Sequence, residues 1–461
     1  MNMELREKKV MVMGLGLNDG GLGAVEYAIN QQVSELIITD SRTADILDET
    51  IQKINALPSH TVPIRYVLGE QKNEDYTNID IIIKNPGVPH NSPYLSVAQE
   101  AGVEITTDVE LFFSHIHTLD NPPITIGITG TRGKSTTTAL IHHILSEYYG
   151  EDRVLMGGNI RKSILRLINE IHKDSYIVLE LSSFQLDSIR YSPHIGVFTS
   201  FFPDHLDRYD SLDAYFESKT HIVKFQSNTD IAVLNIDNDH IAELANNLNS
   251  RVMTYSLHNK QAQIYIDNEM IVYQGEPVMS IHDIPIRGEH NQYNVMAAIQ
   301  VSLMVNIPID TIVQAITTFK GVEGRQQSLG MIHGVEIIND TTSTMPVALG
   351  VALDTFKDTP HIVICGGEDK GLDYSGLSAH IHPNLKGLVL LPGSGSDLIR
   401  QYMSGVSIYE VSSLDEAVDK ALSLTQSGEK IIFSPGATSF GMFLNEFDRG
   451  DKFVEAIHKR K

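Results

Sequence analysis

Residues 124–138 read ITIGITGTRGKSTTT, and a helical run, ALIHHILSEYY, follows them directly. A short apolar strand that passes through glycines into Lys134, Ser135 and a helix is the arrangement that binds phosphate, because backbone amides and the helix N-terminus face the anion. Lys134 is expected to reach the outer phosphate oxygens and Ser135 to offer its hydroxyl to Mg²⁺. The strict pattern G-x-x-x-x-G-K-[ST] is not met, since Ile128 stands at its first glycine. The alternative is a glycine-rich turn before an ordinary helix.

The rest of the chain repeats short β-branched strands that end in Gly, Asp or Asn and are followed by helical patterns. This rhythm predicts an α/β fold of three domains with mostly parallel sheets. We expect a Rossmann-like N-terminal domain over residues 1–119 and a central P-loop ATPase-like domain over residues 120–320. A Rossmann-like C-terminal domain is expected over residues 321–461.

The composition excludes several classes of protein. The 461 residues include 35 basic and 58 acidic side chains, a formal charge of −23, so the average surface repels nucleic acid. The only cysteine is Cys365, which rules out a disulfide framework. No apolar stretch approaches the roughly 20 residues of a membrane helix. We therefore expect a cytoplasmic monomer without nucleic-acid or membrane partners.

Three side chains after the phosphate loop are candidates for chemistry. Glu180 ends the apolar strand YIVLE, where a carboxylate commonly faces the ligand crevice; the alternative is a glutamate that faces solvent. His205 lies in PDHLDRY between two aspartates and is either a metal ligand or an exposed loop histidine. Lys219, in the helical segment DAYFESKTHIVKF, would ordinarily be a surface lysine.

The first block carries GLGLNDGG after its first strand and Asp40-Ser41-Arg42 after ELIITD. It resembles a dinucleotide fingerprint weakly, because Asp19 stands at the sixth position. We expect a nucleotide-like ligand, with Asp40 on a ribose hydroxyl and Arg42 on a phosphate.

In the third block, Lys370 follows the strand HIVICGG, where a cation could hold a substrate carboxylate. Thr344 and Ser439 add hydroxyls after two other strands. Each of the three alone is equally compatible with an ordinary turn residue.

Several segments together, in this order, resemble the Mur ligase family along nearly the whole chain: GITGTRGKSTTT, GGNI, ELSSFQL, HLDRY followed by Lys219, GEHNQYN, NDTTST, GGEDKG and SPGATSFGMF. The resemblance implies an ATP-dependent amide ligase of peptidoglycan precursor synthesis. In the implied reaction the carboxylate of UDP-N-acetylmuramoyl-L-alanine takes the γ-phosphoryl group of ATP. The amine of glutamate, with D-glutamate favoured, then attacks the acyl phosphate.

The resemblance also implies roles for individual positions. The implied catalytic residues are Lys134, Glu180, His205, Lys219 and Lys370. The implied ATP contacts are Gly130, Thr131, Arg132, Gly133, Lys134, Ser135, Thr136, Asn294, Arg325 and Asp340. The implied UDP-sugar contacts are Leu17, Asn18, Asp40, Ser41, Arg42, Asn85, Gly87, Asn159, Ser182 and Gln185. The implied amino-acid contacts are Thr344, Lys370 and Ser439. Two Mg²⁺ ions are implied, held by Ser135, Glu180, His205 and Lys219, with Lys219 carrying a carbamate.

The chain departs from the family pattern at three places. Gly324 replaces a histidine before the adenine-site arginine, and Thr342 replaces a lysine that would lie near the phosphoryl group. We expect Arg132, which replaces a neutral loop residue, to compensate for that lost cation. Glu446 or Phe447 stands where an aromatic residue is expected near glutamate, which leaves L-glutamate or another amino acid open.

Two other functions remain open from the sequence. One is a sister ligase of the same superfamily, such as a folylpolyglutamate synthase-like enzyme, although a uridine-diphosphate site speaks against folate. The other is a nucleotide-binding regulatory protein without catalysis, which would be expected to lack Glu180, His205, Lys219 and Lys370.

Overall fold

Short aliphatic runs form the buried strands of three sheets in the computed structural model of the chain, which describes residues 4–17, 19–58, 61–160, 162–206, 208–439 and 441–461. Within these residues the sheets have five, nine and six strands. Strand and helix alternate through most of the chain, and nearly all strand pairs are parallel. The predicted fold class, three mostly parallel α/β domains, is confirmed.

The N-terminal sheet has the strand order β3-β2-β1-β4-β5, and all its neighbours are parallel. Its strands are β1 (Lys9–Met13), β2 (Glu35–Asp40), β3 (Ile64–Leu68), β4 (Ile81–Lys84) and β5 (Glu104–Thr107). Its helices are α1 (Asp19–Asn30), α2 (Asp48–Asn55), α3 (Pro93–Glu100) and α4 (Asp108–Ile116). The loops after β1 and β4 therefore lie side by side, because these strands are neighbours.

The central sheet has the order β14-β13-β12-β11-β10-β9-β6-β8-β7, parallel from β7 to β12 and antiparallel at β12-β13-β14. Its strands are β6 (Ile124–Thr129), β7 (Val154–Gly158), β8 (Tyr176–Glu180), β9 (Ile195–Phe198), β10 (Ile231–Asn235), β11 (Arg251–Ser256), β12 (Ile264–Asp267), β13 (Met270–Tyr273) and β14 (Glu276–Ser280). Its helices are α5 (Lys134–Tyr149), α6 (Ile164–Leu167), α7 (Ser183–Leu186), α8 (Leu212–Lys224), α9 (Asp239–Leu244), α10 (Glu289–Met304) and α11 (Ile309–Thr318). The phosphate-loop strand β6 lies between β8 and β9, so the ends of those two strands flank the loop.

The C-terminal sheet has the order β15-β16-β20-β17-β18-β19, and only the edge pair β15-β16 is antiparallel. Its strands are β15 (Gln327–Ile332), β16 (Val335–Asn339), β17 (His361–Cys365), β18 (Leu385–Leu390), β19 (Ile408–Glu410) and β20 (Lys430–Phe433). Its helices are α12 (Pro346–Thr355), α13 (Ser394–Tyr402), α14 (Leu414–Leu424) and α15 (Glu446–His458). Short 3-10 helices occur at Asn73–Tyr76, Glu151–Arg153, Ile168–Glu170, Ala245–Asn247, Ile281–Asp283 and Ser375–His380.

The residues pack into two compact units. The first comprises residues up to Ile284 and Glu289–Thr318 and contains the first two sheets; the second comprises Pro285–Gly288 and Phe319–Lys461. The boundaries expected after residues 119 and 320 stay predictions. Among the described residues, no helix is both long and apolar enough to cross a membrane.

Candidate active site

The phosphate loop joins β6 to α5, and two of its residues must be glycine. Gly130 has a φ of +150°, and a Cβ there would lie 2.1 Å from Thr199 Oγ1. Gly133 caps the N-terminus of α5 with a φ of +85°, and a Cβ there would lie 2.6 Å from Asn294 Oδ1. A larger residue at either position would therefore displace the loop from its neighbours. The alternative of an ordinary turn leaves this tight packing unexplained.

The end of β9 holds the loop in shape. Ser200 accepts a hydrogen bond from the Thr131 amide (2.8 Å) through its carbonyl and one from the Arg132 amide (2.9 Å) through its hydroxyl. The Thr199 hydroxyl donates to the Arg132 carbonyl at 2.6 Å. The loop is thus preorganised, which lowers the entropy cost of binding phosphate. Thr199 and Ser200 were missed from the sequence; their place at the end of the strand beside β6 was the available signal.

Two lysines meet at one backbone oxygen of the loop. Lys134 Nζ donates to the carbonyls of Gly130 (2.9 Å) and Thr131 (3.2 Å), and Lys219 Nζ donates to the same Gly130 carbonyl at 3.1 Å. Lys219 is only 2% exposed, so the alternative of a surface lysine is wrong. Its amine also lies 4.8 Å from the ring centroid of Tyr215.

The surroundings of Lys219 disfavour the protonated form of its amine. Burial, followed by repulsion from Lys134, holds the pKa of Lys219 well below its usual range, although Asp204 opposes the shift. A lower pKa increases the fraction of the amine that is neutral and nucleophilic. The carbamate on Lys219 stays a prediction.

Glu180 ends β8 beside the loop and is 2% exposed, so a solvent-facing glutamate is excluded. Its Oε1 accepts a hydrogen bond from Asn159 Nδ2 at 3.0 Å. Its Oε2 is buried and has no hydrogen-bond partner among the described residues. An unsatisfied carboxylate oxygen is costly unless a cation completes its coordination. Glu180 thus fits a metal ligand, with Asn159 orienting it.

His205 adopts a φ of +53° in the loop after β9, and its side chain is 42% exposed. Asp204 Oδ1 accepts the His205 amide hydrogen at 2.9 Å, and the ring packs edge-on against Phe184 at 4.9 Å between centroids. A strained backbone at a non-glycine residue points to a constraint on this position. Among the described residues, no cluster of three or more His, Cys, Asp or Glu side chains could hold a metal. The metal role of His205 stays a prediction.

The first residues of α5 directly follow the phosphate loop. Ser135 is 7% exposed and Thr136 is half-buried, and their contacts with phosphate and Mg²⁺ stay predictions. Asn294, on α10, is 3% exposed and accepts a hydrogen bond from Thr137 Oγ1 at 3.1 Å. Its amide nitrogen donates to Asn291 Oδ1 at 2.8 Å. Asn294 therefore supports the phosphate loop from behind, and its expected contact with the nucleotide stays a prediction.

In the N-terminal sheet, both oxygens of Asp40 are used inside the protein. Oδ2 accepts from the Gly16 amide (2.8 Å), and Oδ1 accepts from the Arg42 amide (2.9 Å) and side chain (3.3 Å). Asp40 is 3% exposed, whereas Leu17, Ser41 and Arg42 are exposed. The aspartate thus shapes the loop after β1; its bond to a ribose stays a prediction. Asn18 lies outside the described residues.

Asn85 and Gly87 lie in the loop after β4, beside the loop after β1. Asn85 Oδ1 accepts the Gly87 amide hydrogen at 3.0 Å, and a Cβ on Gly14 would lie 3.3 Å from Asn85 Cβ. Lys84, missed from the sequence and 2% exposed, donates to the Val88 carbonyl at 3.3 Å. The structure brings the two predicted uridine-diphosphate loops together.

Ser182 and Gln185 form a capping box at α7. The Ser182 hydroxyl accepts from the Gln185 amide at 3.4 Å, and Gln185 Oε1 accepts from the Ser182 amide at 3.1 Å. Gln185 is 4% exposed. These side chains fix the turn after β8, and their contact with a sugar stays a prediction.

The expected amino-acid residues lie on three adjoining loops of the second unit. Thr344 follows β16, Lys370 follows β17 and Ser439 follows β20, and β20 lies between the other two strands. The loops are cross-linked: the Gly436 amide donates to Ser343 O at 2.8 Å, and the Thr438 amide donates to Glu368 O at 3.0 Å. Lys370 is exposed, Thr344 is half-buried and Ser439 is 4% exposed.

Asp340 and Arg325, two of the expected ATP contacts, lie in the second unit, where Arg325 precedes β15 and Asp340 follows β16. Asp340 accepts hydrogen bonds from Ser434 Oγ (2.8 Å) and the Gln326 amide (3.1 Å), yet burial raises its pKa to about 7. Arg325 is exposed. The two departures from the family pattern contact each other, because both the amide and the hydroxyl of Thr342 donate to Gly324 O at 3.1 and 3.0 Å.

Comparison with known proteins agrees with this geometry. Residues 8–107 match the family model described as "Mur ligase MurD-like, N-terminal domain", and residues 128–302 match "Mur ligase middle domain". The UDP-N-acetylmuramoylalanine--D-glutamate ligase of Roseiflexus sp. (strain RS-1) is 34% identical, with 99% of each chain covered.

Two solved structures share the fold. The UDP-N-acetylmuramate-alanine ligase MurC of Thermotoga maritima has a TM-score of 0.65 at 17% identity, covering 98% of this chain and 100% of that one. The MurF ligase of Thermotoga maritima, solved in complex with ADP, has a TM-score of 0.57 at 15% identity, covering 100% and 97%. With its full-length relative and two matching domain models, the chain belongs to the Mur ligase family.

Proposed function

We propose that this chain is an ATP-dependent ligase that joins glutamate, with D-glutamate favoured, to UDP-N-acetylmuramoyl-L-alanine through an acyl phosphate. The observation that carries the proposal is the pairing of Lys219 with Lys134 at the carbonyl of Gly130. A nucleotide-binding loop alone needs no second buried lysine. The full-length similarity to a ligase of this name supports the same conclusion.

In the proposed reaction the loop between β6 and α5 positions the γ-phosphoryl group. The glycines turn amides towards it, and Lys134 exchanges its contacts with the loop carbonyls for contacts with phosphate oxygens. The substrate carboxylate attacks phosphorus, and ADP leaves. The amine of glutamate then attacks the acyl carbon; the amide forms, phosphate leaves and the amine gives up a proton. Most of the catalysis is positioning and charge neutralisation.

We propose that two Mg²⁺ ions bind at this site, and the buried, unsatisfied Oε2 of Glu180 is the observation that supports a metal there. Ser135 would hold one ion; Glu180, through its unsatisfied oxygen, and His205 would hold the other. Lys219 would support the second ion as a carbamate: its neutral amine attacks CO₂, a C–N bond forms, one C–O π bond breaks and one amine proton leaves, so the neutral amine becomes an anion. When bound, the metal neutralises the charge that develops on the phosphate oxygens.

We propose that the substrates bind at the loops that follow the carboxyl ends of strands in the three sheets. The uridine diphosphate would contact the loops after β1 and β4, and the muramoyl-peptide end would contact Asn159 and the α7 capping box. Glutamate would contact the cross-linked loops of Thr344, Lys370 and Ser439. We propose a monomer that acts in the cytoplasm, where ATP and UDP-sugars occur.

The test is phosphate release by the purified protein with ATP, Mg²⁺, UDP-N-acetylmuramoyl-L-alanine and a panel of D- and L-amino acids. The expected result is release that depends on D-glutamate, with mass spectrometry showing the amide product. No stimulation by any amino acid would defeat the ligase assignment and favour a nucleotide-binding regulator. Stimulation by L-glutamate or another amino acid instead would identify a sister activity. We include these amino acids because Glu446 departs from the family pattern near the expected glutamate site.

A further inference from the structure

The largest fully buried side chain of the described residues is a cation. Arg449, in the first turns of α15, is 1% exposed and forms no ion pair among these residues. Its guanidinium group donates hydrogen bonds to uncharged oxygens only: Nη2 donates to Thr341 O (2.8 Å), Nη1 to Ala437 O (3.1 Å) and Nε to Thr341 Oγ1 (3.3 Å). A buried guanidinium usually has a carboxylate partner, so this one requires an explanation.

The three acceptors of Arg449 belong to two of the loops that build the expected amino-acid site. Thr341 is three residues before Thr344, and Ala437 is two residues before Ser439. The contact is tight, because a Cβ added to Gly450 would lie 2.6 Å from Thr341 Cγ2. Thr341 also donates to the Glu446 carbonyl at 2.9 Å, which ties the loop to the N-terminus of α15. One side chain therefore fixes the spacing of both loops.

Among the described residues, no carboxylate forms an ion pair with the Arg449 guanidinium. Burial lowers its pKa to about 10, which the carboxylate of Glu446 only partly opposes, so the group is still protonated at neutral pH. A buried charge acts over a longer distance than a solvated one, since the surrounding dielectric constant is low. Lys370 adds a second positive charge on the loop after β17, where it follows Glu368 and Asp369. An anionic ligand bound there would supply the missing counter-charge.

We propose that Arg449 is a positioning residue that sets the spacing of the amino-acid site and its preference for an amino acid with an anionic side chain. This inference rests on the proposed function and identifies which part of the second unit selects the charge of the amino acid. Arg449 itself does not touch the reacting atoms. It acts through the Thr341 and Ala437 loops and through its field.

The test compares Arg449→Met and Arg449→Lys with the wild-type enzyme. Arg460→Met is the matched control, because Arg460 follows the same helix and pairs with Asp415 and Asp419 outside these loops. Steady-state kinetics are measured with glutamate and with glutamine of the enantiomer that the enzyme uses. These two amino acids differ by one charge and hardly in shape.

For Arg449→Met we expect the KM for glutamate to rise about 30-fold or more, while the KM values for ATP and the UDP-sugar change less than about 3-fold. The preference for glutamate over glutamine in kcat/KM should fall by about 10-fold or more. Arg449→Lys keeps the charge but loses the fork, so it should raise the KM for glutamate and retain the preference. Arg460→Met should change neither quantity.

Unchanged glutamate KM and unchanged preference in folded Arg449→Met would overturn the inference. If that variant does not fold, loss of the preference in Arg449→Lys, or a wild-type enzyme that uses glutamine as well as glutamate, overturns it equally. A wild-type protein that no amino acid stimulates would remove the proposed function itself. An active wild type with unaltered Arg449 variants would remove only the inference.

Discussion

At the scale of single residues, the unusual feature of the site is the burial of Lys219. A protonated amine at 2% exposure beside Lys134 is unfavourable, and the lowered pKa of Lys219 expresses that cost. Conversion to a carbamate would relieve the repulsion, because the new anion attracts Lys134. The burial of Lys219 and its repulsion from Lys134 therefore both support the proposed carbamate.

Lys219→Ala is expected to lose activity by about 100-fold or more, since it removes a charged group at the phosphoryl site. A high concentration of a small carboxylate should restore part of the rate. The control is Lys224→Ala on the same helix, whose exposed lysine pairs with Glu217. A ¹³C NMR signal from labelled CO₂ on the wild type, absent in the variant, is the independent measurement. Full activity in Lys219→Ala would refute the carbamate.

Arg132→Asn tests whether the loop arginine replaces the cation lost at Thr342. Ser200 and Thr199 hold the Arg132 backbone, while its side chain is exposed. We expect kcat to fall about 10- to 100-fold, with folding unaffected, because the backbone contacts remain. Arg251→Asn, an exposed arginine at the start of β11, is the control. Unchanged kinetics for Arg132→Asn would dismiss the compensating role.

At the scale of elements, the loops around Gly324 and Thr342 act as one unit. Thr342 donates two hydrogen bonds to Gly324 O, and a Cβ on Gly324 would lie 2.8 Å from Thr341 Cγ2. A larger side chain at position 324, such as the histidine that the family resemblance implies, would clash with this arrangement. The two departures are therefore linked through their contact rather than independent.

Gly324→Ala should destabilise the second unit by about 1–3 kcal/mol, because it combines a φ of +71° with a steric clash. Gly428→Ala is the matched control, since Gly428 has a φ of +91° and a Cβ added there would meet nothing within 4 Å. Urea unfolding of both variants separates the free-energy cost of the positive φ, which both share, from the cost of the steric clash, which only Gly324→Ala has. Equal destabilisation would show that the clash is relieved without cost.

The sequence predicted the central strand, loop and helix well because phosphate chemistry demands glycine, lysine and serine at fixed places. It did not predict the burial of Lys219, since DAYFESKTHIVKF carries polar residues on several faces and only tertiary packing selects the buried one. The strands that were missed are β3, β5, β7, β11, β15 and β19. Short or half-exposed strands lack a clear periodicity. Arg449 was missed because nothing in FLNEFDRG marks one charge as buried.

At the scale of the whole molecule, the stability of the protein should depend on pH through His361. It is fully buried at the start of β17, and burial, with His382 and Lys430 nearby, lowers its pKa to about 4. The unfolded chain binds this proton near pH 6.5, so stability falls as the pH drops from about 6.5 to 4. The loss approaches about 3 kcal/mol at the acid end of this range.

His361→Asn should remove most of that pH dependence, provided that the variant folds at pH 7. The measurement is urea unfolding of both proteins at pH 7 and pH 5. The exposed His333 serves as control, because His333→Asn keeps the buried histidine and should unfold like the wild type. The same loss of stability at pH 5 in His361→Asn and wild type would exclude His361 as its source.

The shared carbonyl of Gly130 has a kinetic consequence. In the free protein Lys134 and Lys219 both donate to it, so nucleotide entry exchanges existing hydrogen bonds for new ones rather than filling an empty loop. The net gain from the lysine is therefore small in the ground state and grows only as charge builds on the departing oxygens. We therefore expect the hydrogen bonds that the loop already makes to weaken ATP binding and to speed ADP release, which favours turnover over tight binding.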